Sequence, residues 1–414
     1  MSRIDELVAE HCPVGVEYKA LRDLGTWTGG ITPSKAERRY WDRGEIPWVT
    51  SMDISATKGR EIRGTVTQAA LDETSLRMVP GPSVAVVMRS NILRNCLPVG
   101  YIASDTTANQ DLRLLTPGEG VGARYAYWAL QAAAEKIRKT CVRTVGSMAA
   151  VDSKGFLDWR IPVPPRAVQD EIVRVLDSFA DLEADLEAEL EAELEGRRVQ
   201  YAHYRDALLS FNEAGGARWV PMADLGSFVR GRRFTKADYA DSGIPSIHYG
   251  EIYTHYGVST TATVARVRED LRPSLRFAQP QDVVIAGVGE TVADVAKAVA
   301  WLGDTPVAIH DDSFAFRSDA DPTYISYVMQ TDAFQAQKEQ HVARGKVKRV
   351  SGAGLGKIVV PVPPLEEQRR IVGILDQFDA LVNDLSSGLH AEIEARRQQN
   401  AYYRDRLLAF KEAV

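Results

Sequence analysis

The chain has 414 residues, 45% hydrophobic and 26% charged, which gives it length for more than one core and the composition of a soluble globular protein. Three cysteines (Cys12, Cys96, Cys141) have no CxxC spacing and cannot all pair, which favours a reducing cytoplasm and argues against a zinc site. The net charge of −6 does not exclude nucleic acid, because it is unevenly spread: residues 1–162 carry a net of +3, 163–214 of −8, 215–362 of +1 and 363–414 of −2.

In chain order, Met1 to about Cys12 reads as a short amphipathic helix through Ile4, Leu7 and Val8, charged rather than signal-like. No apolar run reaches transmembrane length. Residues from about Val16 to Pro162 read as mixed α/β. Strands are expected at Ile46–Val49, Val84–Met88 and Val99–Ala103, a helix at Ala123–Arg138, and loops at Gly29-Gly30 and Pro80-Gly81-Pro82.

The next segment, 163–214, occurs twice. Shifted by 199 residues without a gap, it matches the closing segment at 28 of 52 positions, a true internal repeat. Each copy opens on Val-Pro-Pro, and proline suits a helix start. The apolar residues Val168, Ile172, Val175, Phe179, Leu182 and Leu186 follow in steps of four and three, the seam of a coiled coil. Two steps of four then lead to Leu190 and Leu194. The second copy, from Ile371 through Phe378, Leu381, Leu385, Leu389 and Ile393, has the same stutter, so both helices must fit one another or a common partner shape. About 45 helical residues make a rod of roughly 70 Å, and two such rods lying antiparallel would form a spacer. Tyr201, Tyr204, Tyr402 and Tyr403 are expected to fill the seam, Glu187 to Glu195 to face solvent, and Gly215-Gly216 to end the first rod.

The region between the copies echoes the first one. Asp23-Leu24-Gly25 with Gly30 matches Asp224-Leu225-Gly226 with Gly231. Ile46-Pro47 with Asp53-Ile54 matches Ile244-Pro245 with Glu251-Ile252. Tyr125 matches Tyr324, Gly146 matches Gly345, and Val151 matches Val350. The framework is kept while the residues between differ, as if the rods meet the same partner twice and the globular regions two different targets.

This order of elements resembles the specificity subunit of type I restriction–modification systems, over the whole chain. The most specific points are Val-Pro-Pro followed by Gln169, Ile172 and Leu176-Asp177, repeated with Gln368, Ile371 and Leu375-Asp376, and the RDxLL tails at Arg205–Leu209 and Arg404–Leu408. The resemblance implies an α/β fold with a long helical coiled coil. Target recognition domains at 1–162 and 215–361 would be joined by spacer helices at 163–214 and 362–414, antiparallel and related by a pseudo-twofold repeat. Each domain would read half of a bipartite, asymmetric site on double-stranded DNA. The helices would set the spacer and dock two modification subunits, which bind the S-adenosylmethionine that this chain does not, and restriction subunits would join them in the cytoplasm.

The sequence agrees that the chain itself does no chemistry. Its two Pro-Pro pairs follow valine, not the Asp or Asn of an adenine methyltransferase loop. Gly287-Val288-Gly289 lacks the third glycine of a dinucleotide fingerprint and reads as a turn, and no GxxxxGK[S/T] loop of a nucleotide-binding enzyme occurs. His310-Asp311-Asp312 is not expected to hold a metal, since adjacent residues on a strand cannot all face one ion. A stand-alone modifying enzyme and a purely structural coiled coil are the alternatives, the first told apart by intrinsic S-adenosylmethionine binding and the second by lack of salt-sensitive DNA binding.

Phosphates call for Arg and Lys, and base edges for Arg, Asn, Gln or Ser. The first domain offers Lys35, Arg38 and Arg39, then Arg89, Ser90, Asn91 and Arg94, and Arg143 beyond Lys136, Arg138 and Lys139. The second offers Arg230, Arg232, Arg233 and Lys236, and the dense run Arg344, Lys346, Lys348 and Arg349, which with its glycines suits a loop laid along a phosphate backbone.

Overall fold

Ser83–Val87 is buried at every position, the pattern of a strand covered on both faces. In the computed structural model, which describes residues 3–145, 148–211 and 216–413 without the side chains of Val145, Arg344, Asn383, Leu385, Ser386 and His390, it lies inside a four-stranded antiparallel sheet. The strand order is Gly25–Gly29, Leu112–Pro117, Ser83–Val87, Val99–Ile102. A second sheet runs Gly64–Val66, Ile46–Val49, Thr107–Ala108, its last pair parallel. The helix Ala123–Cys141 buries Tyr125, Ala126, Ala129, Leu130 and Ile137 in the core that the first sheet shares. The expected N-terminal helix is present at Arg3–His11, with Ile4 and Leu7 buried in that core.

The second domain repeats this plan. Gly226–Arg230, Ser313–Ser318, Val283–Ala286 and Ala298–Trp301 stand in the same order, with Ser259–Thr260 added at the edge. Ala265–Val267, Tyr239–Ile247 and Val307–Ile309 form the smaller sheet, with Phe277–Ala278 added. Gly30 and Gly231, matched in the sequence, occupy one place in this plan. A Cβ at Gly30 would overlap the carbonyl oxygens of Ala108 and Asn109, and one at Gly231 those of Ile309 and His310. The chain must pass that close to the neighbouring strand in both domains, so only glycine fits.

The repeated segments form two helices of equal length, Arg166–Leu208 and Leu365–Leu407, each starting directly after its second proline. The first ends at Leu208, ahead of the glycines expected to stop it; Leu209 turns into the core of the second domain, and Gly215 lies outside the described residues. Each start is tied down by one buried glutamine. Gln169 accepts from the Gly122 N–H at 2.9 Å and donates to the carbonyls of Gly120 (2.8 Å) and Pro164 (2.7 Å). Gln368 accepts from the Asp321 N–H and donates to Pro363, both at 2.8 Å. Tyr125 and Tyr324 donate to the carbonyls of Pro162 and Pro361. Two turns further, Asp177 accepts from Arg124 and Trp128, and Asp376 from Tyr327. The matched Gln and Asp positions thus join rod to domain, and pairing at both the oxygen and the nitrogen is what makes a buried amide tolerable there.

Contacts divide the chain into two units, Met1–Glu189 with His390–Val414, and Leu190–Leu389. Each long helix therefore gives its first half to one unit and its second half to the other. In the first unit Phe179 meets Tyr403 (ring centroids 6.0 Å apart), Glu183 accepts from Asn400, and Glu187 pairs with Arg397 at 2.8 Å. Partner numbers fall as Phe179, Glu183 and Glu187 rise, so the helices are antiparallel. In the second unit Tyr204 stacks on Phe378 at 5.8 Å, the repeat-equivalent of the Phe179–Tyr403 contact.

Of the expected seam residues, Leu190 is buried, and Phe179, Leu186, Leu194, Phe378, Leu389 and Ile393 are half-buried. Ile172 and Ile371 are buried in the cores of their own domains. Leu182 and Leu381 leave the seam, at 63% and 58% exposure. Phe179, Glu183, Glu187 and Leu190 carry the contact face in steps of four, four and three, which turns Leu182 onto its flank; the repeat does the same to Leu381. The Leu385 side chain lies outside the described residues. Tyr201 is half-buried, whereas Tyr402 is exposed and outside the seam.

Candidate nucleic-acid interface

In each domain the structure gathers basic residues far apart in sequence onto one polar edge. In the first domain the hairpin Val142–Val145/Met148–Val151 pairs Ala150 with Arg143, and a bridge pairs Ala150 with Arg89. Arg89, Ala150 and Arg143 thus form one cross-strand row. Asp111 holds Arg89 at 2.9 Å, and Arg143 stands 4.0 Å from Asp152. Ser90 accepts from the Ile92 N–H and begins a short 3-10 turn bearing exposed Asn91 and Arg94. Arg138 is committed elsewhere: it pairs with Glu135 and donates to the Arg94 carbonyl, and the ion pairs of Glu135 with Arg138 and then Lys139 hold its carboxyl down at about 2.

Lys35, Arg38 and Arg39 lie on an exposed loop after Gly30. Arg39 pairs with Glu73 at 2.8 Å and lies over the Tyr40 ring, whereas no hydrogen bond or ion pair holds Lys35 or Arg38 among the described residues.

The second domain has the same row with its charges moved. Val288 pairs with Arg349 and Arg349 with Ala343; in the next register Gly289 pairs with Lys348 and Lys348 with Arg344. Val288-Gly289 is therefore a strand in this ribbon, not the expected turn. Asp312 holds Arg349 at 2.6 Å. The aspartate is kept between the domains, and its arginine comes from the other strand of the pair. Lys348 donates to the Gly345 carbonyl, Lys346 is exposed, and the side chain of Arg344 lies outside the described residues. Arg230 donates to the Asp311 carbonyl at 2.8 Å. Arg232, Arg233 and Lys236 are exposed around Gly231, with no hydrogen bond or ion pair from their side chains among the described residues.

His310-Asp311-Asp312 lies in a turn after the strand Val307–Ile309, and its ligand atoms come within 4.8 Å of one another. A turn lets adjacent side chains converge where a strand would alternate them. Those atoms already have other work: His310 Nδ1 accepts from the Asp312 N–H at 3.2 Å, and the Asp312 carboxylate is bound to Arg349.

Sequence reasoning missed His248. This side chain caps the short helix Tyr249–Thr254, its Nδ1 accepting from the Gly250 N–H, and its ring lies 4.4 Å from that of His310. Burial first, then the neighbouring His310, pushes His248 down to about 4, and burial lowers His310 as well. The signal for it was present: His248 and Glu251 stand as Thr50 and Asp53 do in the first domain, and both pairs form a capping box.

Two domains of one plan, each with a basic ribbon beside a glycine-pinned loop, define a duplicated chain built to present two related but unlike polar edges. The chain belongs to the type I restriction modification DNA specificity domain family, whose model matches residues 13–196 and again 220–395. It is 37% identical over 196 residues to the type I restriction enzyme EcoR124I/EcoR124II specificity subunit of Escherichia coli, a match spanning 47% of this chain and 48% of that relative, so about half its length. Its fold is that of a solved chain described under the structural basis of complex assembly and conformational transition of the type I R-M system (TM-score 0.70, 16% identity, 95% of this chain and 97% of that one). The HsdS subunit from Thermoanaerobacter tengcongensis is similar at TM-score 0.53, 16% identity, 95% and 96%.

Proposed function

We propose that this chain is the DNA-reading, non-catalytic subunit of a type I restriction–modification complex. Each domain reads one half of a bipartite, asymmetric site on double-stranded DNA. The paired helices set the unread spacer and dock two modification subunits, which hold S-adenosylmethionine and methylate adenine; restriction subunits join the same assembly. The observation that carries this reading is the contrast within the repeat: one buried glutamine anchor, Gln169 or Gln368, ties the same helix to two domains whose polar edges carry different side chains. A constant joint with a variable edge is what two equal partners and two different DNA words require.

The test is the methylome of a host that lacks the gene and then regains it together with its modification subunit. The expected result is one new asymmetric methylated motif with a fixed gap. An unchanged set of methylated adenines would refute the proposal, and so would methylation by the purified chain alone.

A further inference from the structure

The two domains carry one turn with different side chains. The Asp111 N–H donates to Asn109 Oδ1 at 3.2 Å, and the Asp312 N–H to His310 Nδ1 at the same distance. The backbone around each turn is held alike: Asn109 to Val49 and Ile31 to Ala108 in the first domain, His310 to Ile247 and Arg232 to Ile309 in the second. Thr32, Thr50, Asn109 and Gln110 therefore correspond to Arg233, His248, His310 and Asp311. The first set is uncharged, hydroxyls and amides that both donate and accept, with Thr32 hydrogen-bonded to Gln110. The second set is different chemistry on the same frame.

Around that second set lies a cavity of about 440 Å³, whose lining includes Arg233, His248, Tyr249, His310, Asp311 and the Arg349–Asp312 pair. Each imidazole already uses Nδ1 as an acceptor, for the N–H of Gly250 and of Asp312, so a neutral ring carries its proton on Nε2 and presents a donor. The approach of Asp311 to His310 Nδ1 (3.2 Å) would suit a proton there instead, but the backbone N–H is fixed and already occupies that nitrogen. Arg349 is taken up by Asp312 and Arg230 by the Asp311 carbonyl. Among the described residues no hydrogen bond or ion pair holds the five-donor guanidinium of Arg233, which lines the cavity together with the Asp311 carboxylate, an acceptor. In the major groove a G·C pair shows two adjacent acceptors, guanine N7 and O6, and then the cytosine N4 donor.

We propose that this cavity is where the second domain reads a G·C pair, Arg233 forking onto guanine N7 and O6 while Asp311 accepts from the N4 amine of the paired cytosine. The proposal rests on the DNA-reading function above and names what that edge recognises. His248 and His310 hold the turn and line the pocket; they are positioning residues.

The test uses the chain assembled with its modification subunits and a duplex carrying the motif found by methylome sequencing. Each guanine of the second half-site is replaced in turn by 7-deazaguanine, which removes the N7 acceptor. For the wild type one position should cost about ten-fold or more in affinity, the range of a bidentate contact. In Arg233→Ala that penalty should vanish, while the first half-site is read unchanged. Arg233→Lys, which keeps the charge and loses the fork, should keep the salt dependence and lose the discrimination.

Three results would overturn the proposal: a second half-site without a G·C pair, a 7-deazaguanine penalty that survives in Arg233→Ala, or a uniform loss on all duplexes with the salt slope falling by about one, which would put Arg233 on a phosphate. In each of these the wild type still prefers its motif, so DNA reading stands. A wild type with no sequence preference would overturn both.

Discussion

Removing the amide of Gln169 tests whether the repeated helix is fastened to its domain as described. Gln169→Ala deletes three bonds at a fully buried position, to Gly122, Gly120 and Pro164, and leaves an N–H and two carbonyls without that partner. At about 1 kcal/mol for each, the expected loss is about 3 kcal/mol. Gln368→Ala deletes only two, to Asp321 and Pro363, and should cost about 2 kcal/mol. The two glutamines belong to different units, so a single melting temperature would blur the effect. Hydrogen exchange separates them. Gln169→Ala should lower protection across Ala123–Cys141 and leave Pro322–Val328 unchanged, with Gln368→Ala doing the reverse. A loss below about 1 kcal/mol for Gln169→Ala, or equal loss of protection in both domains, would refute the anchor.

Leu186→Asp should loosen the helix pair, since it places a carboxylate on the half-buried contact face; unchanged co-purification with modification subunits would contradict that assignment. Replacing Arg344, Lys346 and Lys348 together by alanine should weaken binding to the second half-site and lower the salt slope by about 3, leaving the first half-site readable; an unchanged slope would make the run ordinary surface. His248 gives the second domain a pH dependence. Its folded value, about 4, lies below the ordinary histidine value, so the folded state binds fewer protons between the two. The stability it contributes is complete above about pH 6.5 and is lost as pH falls toward 4. At full weight this is about 3 kcal/mol, and part exposure of the ring cuts it to about 1–2 kcal/mol. Urea melts at pH 7 and pH 4.5 should show that difference in the wild type and a flatter response in His248→Asn.

Much of the architecture was written locally. The Pro-Pro helix starts and the period of the two rods need only neighbouring residues to be read, because helical periodicity and proline's fixed φ act over a few residues, whereas the close approach at Gly30 and Gly231 is to the distant Ala108–Asn109 and Ile309–His310. The matched residues, Asp23-Leu24-Gly25 with Asp224-Leu225-Gly226 and those that follow them, marked two domains of one plan. The candidate edge of each domain was legible only as separate basic clusters.

Sequence by itself determined the duplication, its two rods and the residue types available at each edge. Tertiary structure decided which of them meet. Arg89 and Arg143 share a row because a hairpin folds back more than fifty residues later, and Asp111 and Asp312 take their arginines from opposite strands of equivalent pairs. His310 became a partner of His248 because two strands sixty residues apart lie side by side in parallel. Leu182 and Leu381 left the seam although their spacing fits it, because the pairing of two particular helices, not the period of one, sets which face is covered.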